Sequence, residues 1–300
     1  MSWRIVVISN SAKLEYKMDY MIVRQSEITK IHLSEISMLI VESTAVSLTA
    51  GLLSELTKRK IKVIFCDEKR NPSSELVSYY GSHDTSAKVR QQVGWTAEIK
   101  KMMWTEIVSE KIRNQQRFLE DLGKKENVML TEYLKEIQPG DTTNREGHAA
   151  KVYFNAVFGM DFSRSLDIPI NAALNYGYGI ILSTFNREIV SNGYITQLGL
   201  FHDNMFNQFN LGSDLMEPFR ILVDRKVYEM KPEKFEKEEK LQLVNILNQE
   251  VTIDGKRNYV VNAIKIYCKS VFDAINDNDV SLIRFYSNAV SYTHLTLPTT

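Results

Sequence analysis

The chain has 300 residues, 44% apolar and 25% charged, and its 37 basic and 37 acidic side chains cancel. That is enough chain for one large domain or two smaller ones with a real core, and the neutral balance argues against coating nucleic acid by bulk charge, though not against a local basic groove. No secretory leader pattern and no uncharged apolar run of about 18 residues is present, so no membrane span is expected and the cytoplasm is the default location. Cys66 and Cys268 lie far apart and form no C-x-x-C pair, which indicates neither a zinc site nor a disulfide framework.

In chain order, 3–9 is a short β-branched run of strand length, and 21–26 and 28–33 alternate apolar and polar residues as half-buried strands do. Segments 38–41 and 62–67 read as more buried strands. Between them, Leu48, Leu52, Leu53 and Leu56 recur at helical spacing, which predicts one helix over 47–60. Turn-forming residues from 67 to 84 suit the end of a domain and a linker. From 86 to 123 the chain is charged and free of proline, with Val93, Ile99, Met103, Ile107 and Ile112 at roughly helical intervals. Further helices are predicted at 125–138, 143–159, 171–190, 213–229, 233–249 and 258–277, and the charged run 231–240 reads as a solvated helix start. The fold class is therefore α+β: a small β-rich amino-terminal domain over 1–85, followed by a larger all-α domain over 86–290. The last ten residues, 291–300, abandon helical periodicity and resemble a translated sequencing adapter; they are read as a non-native tail and excluded from the fold.

Three fragments place an acid or imidazole where the pattern turns inward. Counting along a helix from Glu146, the residues Ala149, Ala150, Tyr153, Ala156 and Val157 form the core-facing stripe, so its carboxylate should point inward. Thr143 and Glu146 also match the T-x-x-E capping box, in which the acid merely completes the helix start. His202 follows Gly199-Leu200-Phe201; alone it reads as a surface or core-satisfied imidazole, though a neutral ring is also a good ligand for a transition metal, while His148 points to a different helix face from Glu146. Asp214 and Glu217 share one helix face, with Leu215, Phe219, Leu222 and Val223 as the buried stripe. Ser213 could serve as N-cap, which would put Asp214 in a first turn that favours an anion. Glu217 is less easily explained that way, because Pro218 restricts its backbone.

Inward acids are costly unless a positive charge neutralises them, and a divalent ion does so well. Two oxygen donors and one imidazole suit Mg²⁺ or Mn²⁺ and metal-assisted displacement at phosphorus. No nucleotide-binding glycine loop, dinucleotide fingerprint or G-x-S-x-G elbow is present.

The fragments EGHAAKVYF from Glu146, NAALNYGY from Asn171, GLFH from Gly199 and DLMEPFR from Asp214, in this order, resemble the CRISPR-associated integrase that inserts new spacers into CRISPR arrays, and most nearly its type II version. Taken alone, 171–178 reads as core packing. The resemblance runs from Trp3 to about residue 288. It implies metal ligands at Glu146, His202 and Glu217, with Asp214 as an outer or alternate ligand. Many relatives carry Asp where this chain has Glu217; both are hard donors, but the reach differs by one methylene. The resemblance further implies a β-rich homodimerisation domain before a helical catalytic domain. It also implies assembly with a small second CRISPR-associated adaptation protein, two dimers flanking one central partner dimer on double-stranded DNA. The reaction implied is transesterification: a free 3′-hydroxyl of captured DNA attacks a phosphodiester at the edge of a repeat. Lys151 and Arg220 are candidate phosphate contacts, and Lys88, Arg90, Lys100, Lys101, Arg113 and Arg117 are candidates to line a basic groove. Two rival readings stay open: a metal-dependent, structure-specific nuclease using the same ligands with water, and a non-catalytic DNA-holding scaffold.

Overall fold

The computed structural model describes residues 4–68, 70–78 and 82–288. The proposed tail, 291–300, lies outside them, as do 69 and 79–81 of the predicted linker. The amino-terminal part runs β1 (Arg4–Ile8), β2 (Ala12–Lys17), β3 (Tyr20–Arg24), β4 (Ile28–His32), β5 (Ile36–Val41), β6 (Val46–Leu48), α1 (Ala50–Lys58), β7 (Lys62–Cys66) and β8 (Pro72–Leu76). Its strands form two four-stranded sheets, ordered β1-β5-β7-β8 and β4-β3-β2-β6. In the first, β1, β5 and β7 are parallel and β8 closes the edge antiparallel.

Every residue of β5 is buried, and its two faces meet different neighbours. Leu39 and Val41 join Leu14, Met21, Leu52 and Leu56 in a core between the sheets and α1. Met38 and Ile40 belong instead to the large core of the helical part. This is the period-2 alternation of a strand buried on both sides.

Three strands escape the sequence reading. β2 carries few bulky apolar residues, yet a tight turn through Met18 and Asp19, both at positive φ, pairs it with β3. β6 occupies the start of the segment read as helix; α1 begins only at Ala50, where Thr49 Oγ1 accepts from the Leu52 amide. The expected linker contains β8, whose Pro72 is tolerated because the strand lies at a sheet edge.

The second part comprises α2 (Thr85–Val93), α3 (Ala97–Asp121), α4 (Asn127–Glu136), α5 (Arg145–Phe158), α6 (Pro169–Ser191), α7 (Asn210–Leu215), α8 (Arg220–Met230), α9 (Lys237–Val244) and α10 (Val260–Asp277). The helix expected over 86–123 is two helices, because Gly94 ends α2 and Thr96 caps α3. The helix expected over 213–229 is interrupted by a 3₁₀ turn, Glu217–Phe219, at Pro218. This part is not wholly helical. A three-stranded antiparallel sheet of β9 (Glu250–Ile253), β10 (Lys256–Tyr259) and β11 (Tyr286–Asn288) corrects the all-α expectation. Strands of three or four residues are too short to show periodicity, but Asp254-Gly255 at their hairpin, both at positive φ, is a turn signal that sequence inspection could have used.

The long helices α3, α6 and α10 share one core with Met38, Ile40, Ile64 and Cys66 of the first sheet. Polar ties cross the same junction: Arg187 Nη1 donates to Ser37 O at 3.0 Å, and Ser183 Oγ donates to Glu75, which pairs with buried Lys62. Among the described residues no helix is long and apolar enough to cross a membrane.

Candidate functional site

Glu146 sits in the first turn of α5, half-buried above Ala149 and Tyr153. It is not the cap. Asn144, in the left-handed conformation, accepts from the Gly147 amide, and Asp141 accepts from the amides of Arg145 and Glu146. With the helix start satisfied by those two residues, the Thr143 capping box is not what holds this acid. Its carboxylate instead meets the ammonium of Lys111 on α3. His148 is exposed on another face of α5, near Tyr133.

Glu217 lies at the 3₁₀ turn and is 4% exposed. The turn is held by its neighbour's carbonyl: Asn114 Nδ2 and Tyr286 Oη both donate to Pro218 O at 3.2 Å. Glu217 Oε1 accepts from Arg220 Nε at 2.9 Å, and Oε2 faces the same Lys111 ammonium at 2.5 Å. Oε2 is buried, and the Lys111 ammonium neutralises it. Burial alone would raise the Glu217 carboxyl; Arg220 and Lys111 override it and hold it below the ordinary value. Lys111 shows the mirror image: burial would lower it, but Glu217 and Glu146 raise it.

Asp214 is fully buried inside α7 rather than in a first turn, since that helix begins at Asn210. Its carboxylate organises the loop before it. Oδ2 accepts from the amides of Leu200 (2.6 Å) and Phe201 (3.1 Å), and Oδ1 from the His202 amide (3.2 Å). The His202 ring adds a fourth contact, Nδ1 to Oδ1 at 2.5 Å. A carboxylate can only accept, so Nδ1 carries the proton and Nε2 of the neutral ring is left as an acceptor. The bond to Asp214 raises the His202 pKa despite partial burial. Phe201 stacks flat on Trp104 of α3 with ring centroids 4.4 Å apart, which fixes the loop from its other side. Gly199 is required here: a Cβ would lie 2.4 Å from His202 O and 2.7 Å from Asp214 Oδ2.

Beneath the site, Asp224 of α8 is fully buried and accepts from Tyr153 Oη (3.0 Å) and Tyr178 Oη. Burial pushes its carboxyl up to about 6, and the two phenols only partly oppose this. The Arg220 guanidinium lies 4.7 Å from the Tyr178 ring centroid, so the same layer supports the arginine that holds Glu217.

Two expected acids thus converge, but on a lysine. Among the described residues no three Asp, Glu, His or Cys side chains form a cluster that could hold a metal. The expected grouping of Glu146, His202 and Glu217 as mutual ligands is not what the side chains adopt: Lys111 takes the acid pair and Asp214 takes the imidazole. The donor set nevertheless fits a hard divalent cation. It consists of two carboxylates already gathered around one positive charge, one of them buried, and a neighbouring ring whose second nitrogen is an acceptor.

Arg220 is engaged with Glu217 rather than offered to a phosphate, whereas Lys151 is exposed on α5. Of the groove candidates, Arg113 and Arg117 neutralise buried Glu110 and Lys88 lies over Tyr194, which weakens the expectation that they line a groove; Arg90 and Lys101 are exposed. Lys111, Asn114 and Asp224 were not anticipated. Lys111 has a legible signal: it falls on the apolar stripe Trp104, Ile107, Phe118 of α3, the same inward charge that singles out Glu146.

The family model described as CRISPR associated protein Cas1 matches residues 5–252. The chain is 30% identical over 294 residues to the CRISPR-associated endonuclease Cas1 of Neisseria meningitidis serogroup C, covering 95% of this chain and 96% of that one. A second relative, from Francisella tularensis subsp. novicida, is 25% identical over 263 residues, 78% of this chain and 80% of its own. Among solved structures, a CAS1 protein from Thermotoga maritima superposes with a TM-score of 0.74 at 19% identity, over 91% of this chain and 97% of that one. A casposase bound to integration product gives 0.72 at 19% identity, over 93% and 92%. A Cas6-RT-Cas1–Cas2 complex gives 0.71 at 20% identity, over 93% of this chain but only 36% of that longer one. With the family model spanning most of its length and a relative matched nearly end to end, the chain belongs to the CRISPR-associated protein Cas1 family.

Proposed function

We propose that this chain is the DNA-joining enzyme of CRISPR adaptation, of the kind that accompanies type II systems, and that it exchanges phosphodiester bonds at a repeat edge. The observation that carries the reading is the convergence of Glu146 and Glu217, 71 residues apart in sequence, on one cation position beside a loop that presents His202. Glu146, Glu217 and His202 would hold Mg²⁺ or Mn²⁺. Such an ion, when bound, supplies charge neutralisation at a phosphoryl group and makes an oxygen nucleophile easier to deprotonate.

The chain's own residues do the positioning. Arg220 and the Pro218 turn fix Glu217, and Asp214 fixes the ring of His202 with Nε2 outward. Trp104 and Phe201 keep the loop on α3. In the reaction, a 3′-hydroxyl oxygen forms a bond to phosphorus as the bond to the leaving 3′-oxygen breaks. One phosphodiester replaces another, so no nucleotide is consumed.

Double-stranded DNA is the proposed substrate and a small second adaptation protein, Cas2, the proposed partner. The fold shared with Cas1 in a Cas1–Cas2 complex and with a casposase on integration product supports both. Homodimerisation through the β-rich part before residue 86, two dimers around a central partner dimer, and a cytoplasmic location belong to the same proposal. The word endonuclease in the names of relatives favours one second reading, cleavage by water at the same site.

The test uses linear duplex with free 3′ ends, a supercoiled repeat-containing plasmid and the partner protein. Joined products in the wild type, lost in Glu146→Gln while DNA binding persists, support the proposal. Cleavage without joining favours the nuclease, and wild-type joining by the variant leaves only a scaffold.

A further inference from the structure

Lys111 enters none of the steps above, yet its ammonium occupies the one position toward which both glutamates point. It lies 2.5 Å from Glu217 Oε2 and in contact with Glu146 Oε1, and its side chain is 10% exposed. A hard divalent cation binds carboxylate oxygen at about 2.0 to 2.6 Å, so ammonium and metal cannot share that position. The cluster is also near charge balance without a metal. Lys111 and Arg220 face Glu146 and Glu217, while Asp214 faces His202. An incoming dication must therefore displace one of the two resident cations.

Arg220 is the harder one to move. Its Nε is bonded to Glu217 and its guanidinium lies over the ring of Tyr178, which is in turn held by Asp224. Lys111 is a point charge on a flexible four-carbon stem, and its Glu146 side opens toward solvent, since the Glu146 side chain is 28% exposed. We infer that Lys111 is a displaceable counterion that holds Glu146 and Glu217 together in the absence of metal, and that it sets the metal affinity of the site by competing for it. The inference rests on the metal reading given under Proposed function.

Mn²⁺ binding measured by electron paramagnetic resonance, alongside thermal unfolding with and without Mn²⁺, tests it in wild type, Lys111→Met and Glu146→Gln. Lys111→Met should bind Mn²⁺ at least tenfold more tightly than wild type. Without metal it should melt lower than wild type, because buried Glu217 and half-buried Glu146 then lack their shared cation, and Mn²⁺ should raise its melting temperature by more than it raises that of wild type. Equal or weaker binding by Lys111→Met, with wild-type binding lost in Glu146→Gln, overturns the role of Lys111 and spares the metal site. Wild-type Mn²⁺ binding that is absent, or unchanged in Glu146→Gln, overturns both. Lys111→Gln is read the same way should the Met variant not fold. A crystal of wild type soaked in Mn²⁺ decides independently of either variant: an ammonium still between the two carboxylates beside bound metal refutes displacement, and one swung clear of them supports it.

Discussion

Replacing Asp214 with Ala is the sharpest probe of how the site is held. The carboxylate takes three backbone amides and one imidazole, all from residues 200–202, and is itself fully buried. Hydrogen bonds to a charged group contribute about 1.5 to 3 kcal/mol each, and a buried donor left unsatisfied costs about 1 to 3 kcal/mol. Phe201 and His202 are partly exposed, so their amides can turn to water; Leu200 is 8% exposed and its amide cannot. The stranded Leu200 amide and the two amide bonds lost from a charged acceptor give a loss of about 4 to 9 kcal/mol, a large share of the roughly 5 to 15 kcal/mol of a folded domain. Urea unfolding measures the loss, and hydrogen exchange should accelerate at the amides of 200–202 while α6 stays protected. The deficit should also depend on pH. The His202 pKa is raised in the fold, so the stability contributed by the pair is complete below about 6.5 and declines as pH rises through the raised folded value. Asp214→Ala should therefore lose most relative to wild type in mild acid and less in base. A deficit under about 1 kcal/mol, or unchanged exchange at 200–202, would refute the view that this acid organises the His202 loop.

Gly199→Ala places a methyl against His202 O and the Asp214 carboxylate, neither of which can retreat cheaply; DNA joining should fall at least tenfold, and wild-type joining by a folded variant would contradict the packing described. Gly177 of α6 meets α8 so closely that a Cβ would lie 2.4 Å from Val223 Cγ1, so Gly177→Ala should destabilise by about 1 to 3 kcal/mol. Adding Val223→Ala should recover part of that in urea unfolding, and a double variant no better than the single would argue against this contact. Asp224, with an ordinary value of 3.8 and a folded value of about 6, is favoured in its neutral form; its stabilising contribution is complete below pH 3.8 and is lost as pH rises through 6. Asp224→Asn removes that dependence, so the variant should gain on wild type by about 3 kcal/mol between pH 3.5 and 7, and parallel stability curves for the two proteins would show that the carboxyl does not titrate there.

Composition and periodicity determined much of this protein. The α+β class, the stripe of α5 and the identity of Glu146 and Glu217 as residues to watch are local facts, because an apolar stripe repeats every 3.6 residues and marks any charge that falls within it; His202 sits in no helix and is marked by the family fragments instead. The four ordered fragments carried the family, since several spaced matches together are specific where each is weak. Tertiary structure decided what those residues do. Whether Glu146 caps its own helix depends on Asn144 and Asp141, and whether Asp214 opens a helix or anchors a loop depends on a chain segment 12 to 14 residues earlier. The partner of both glutamates is a lysine on α3, and no periodicity in α5 or α7 refers to it. The short strands β6, β8 and β9 to β11 were hidden for the same reason: their hydrogen bonds go to distant chain, so three to five residues of local pattern leave them indistinguishable from turns.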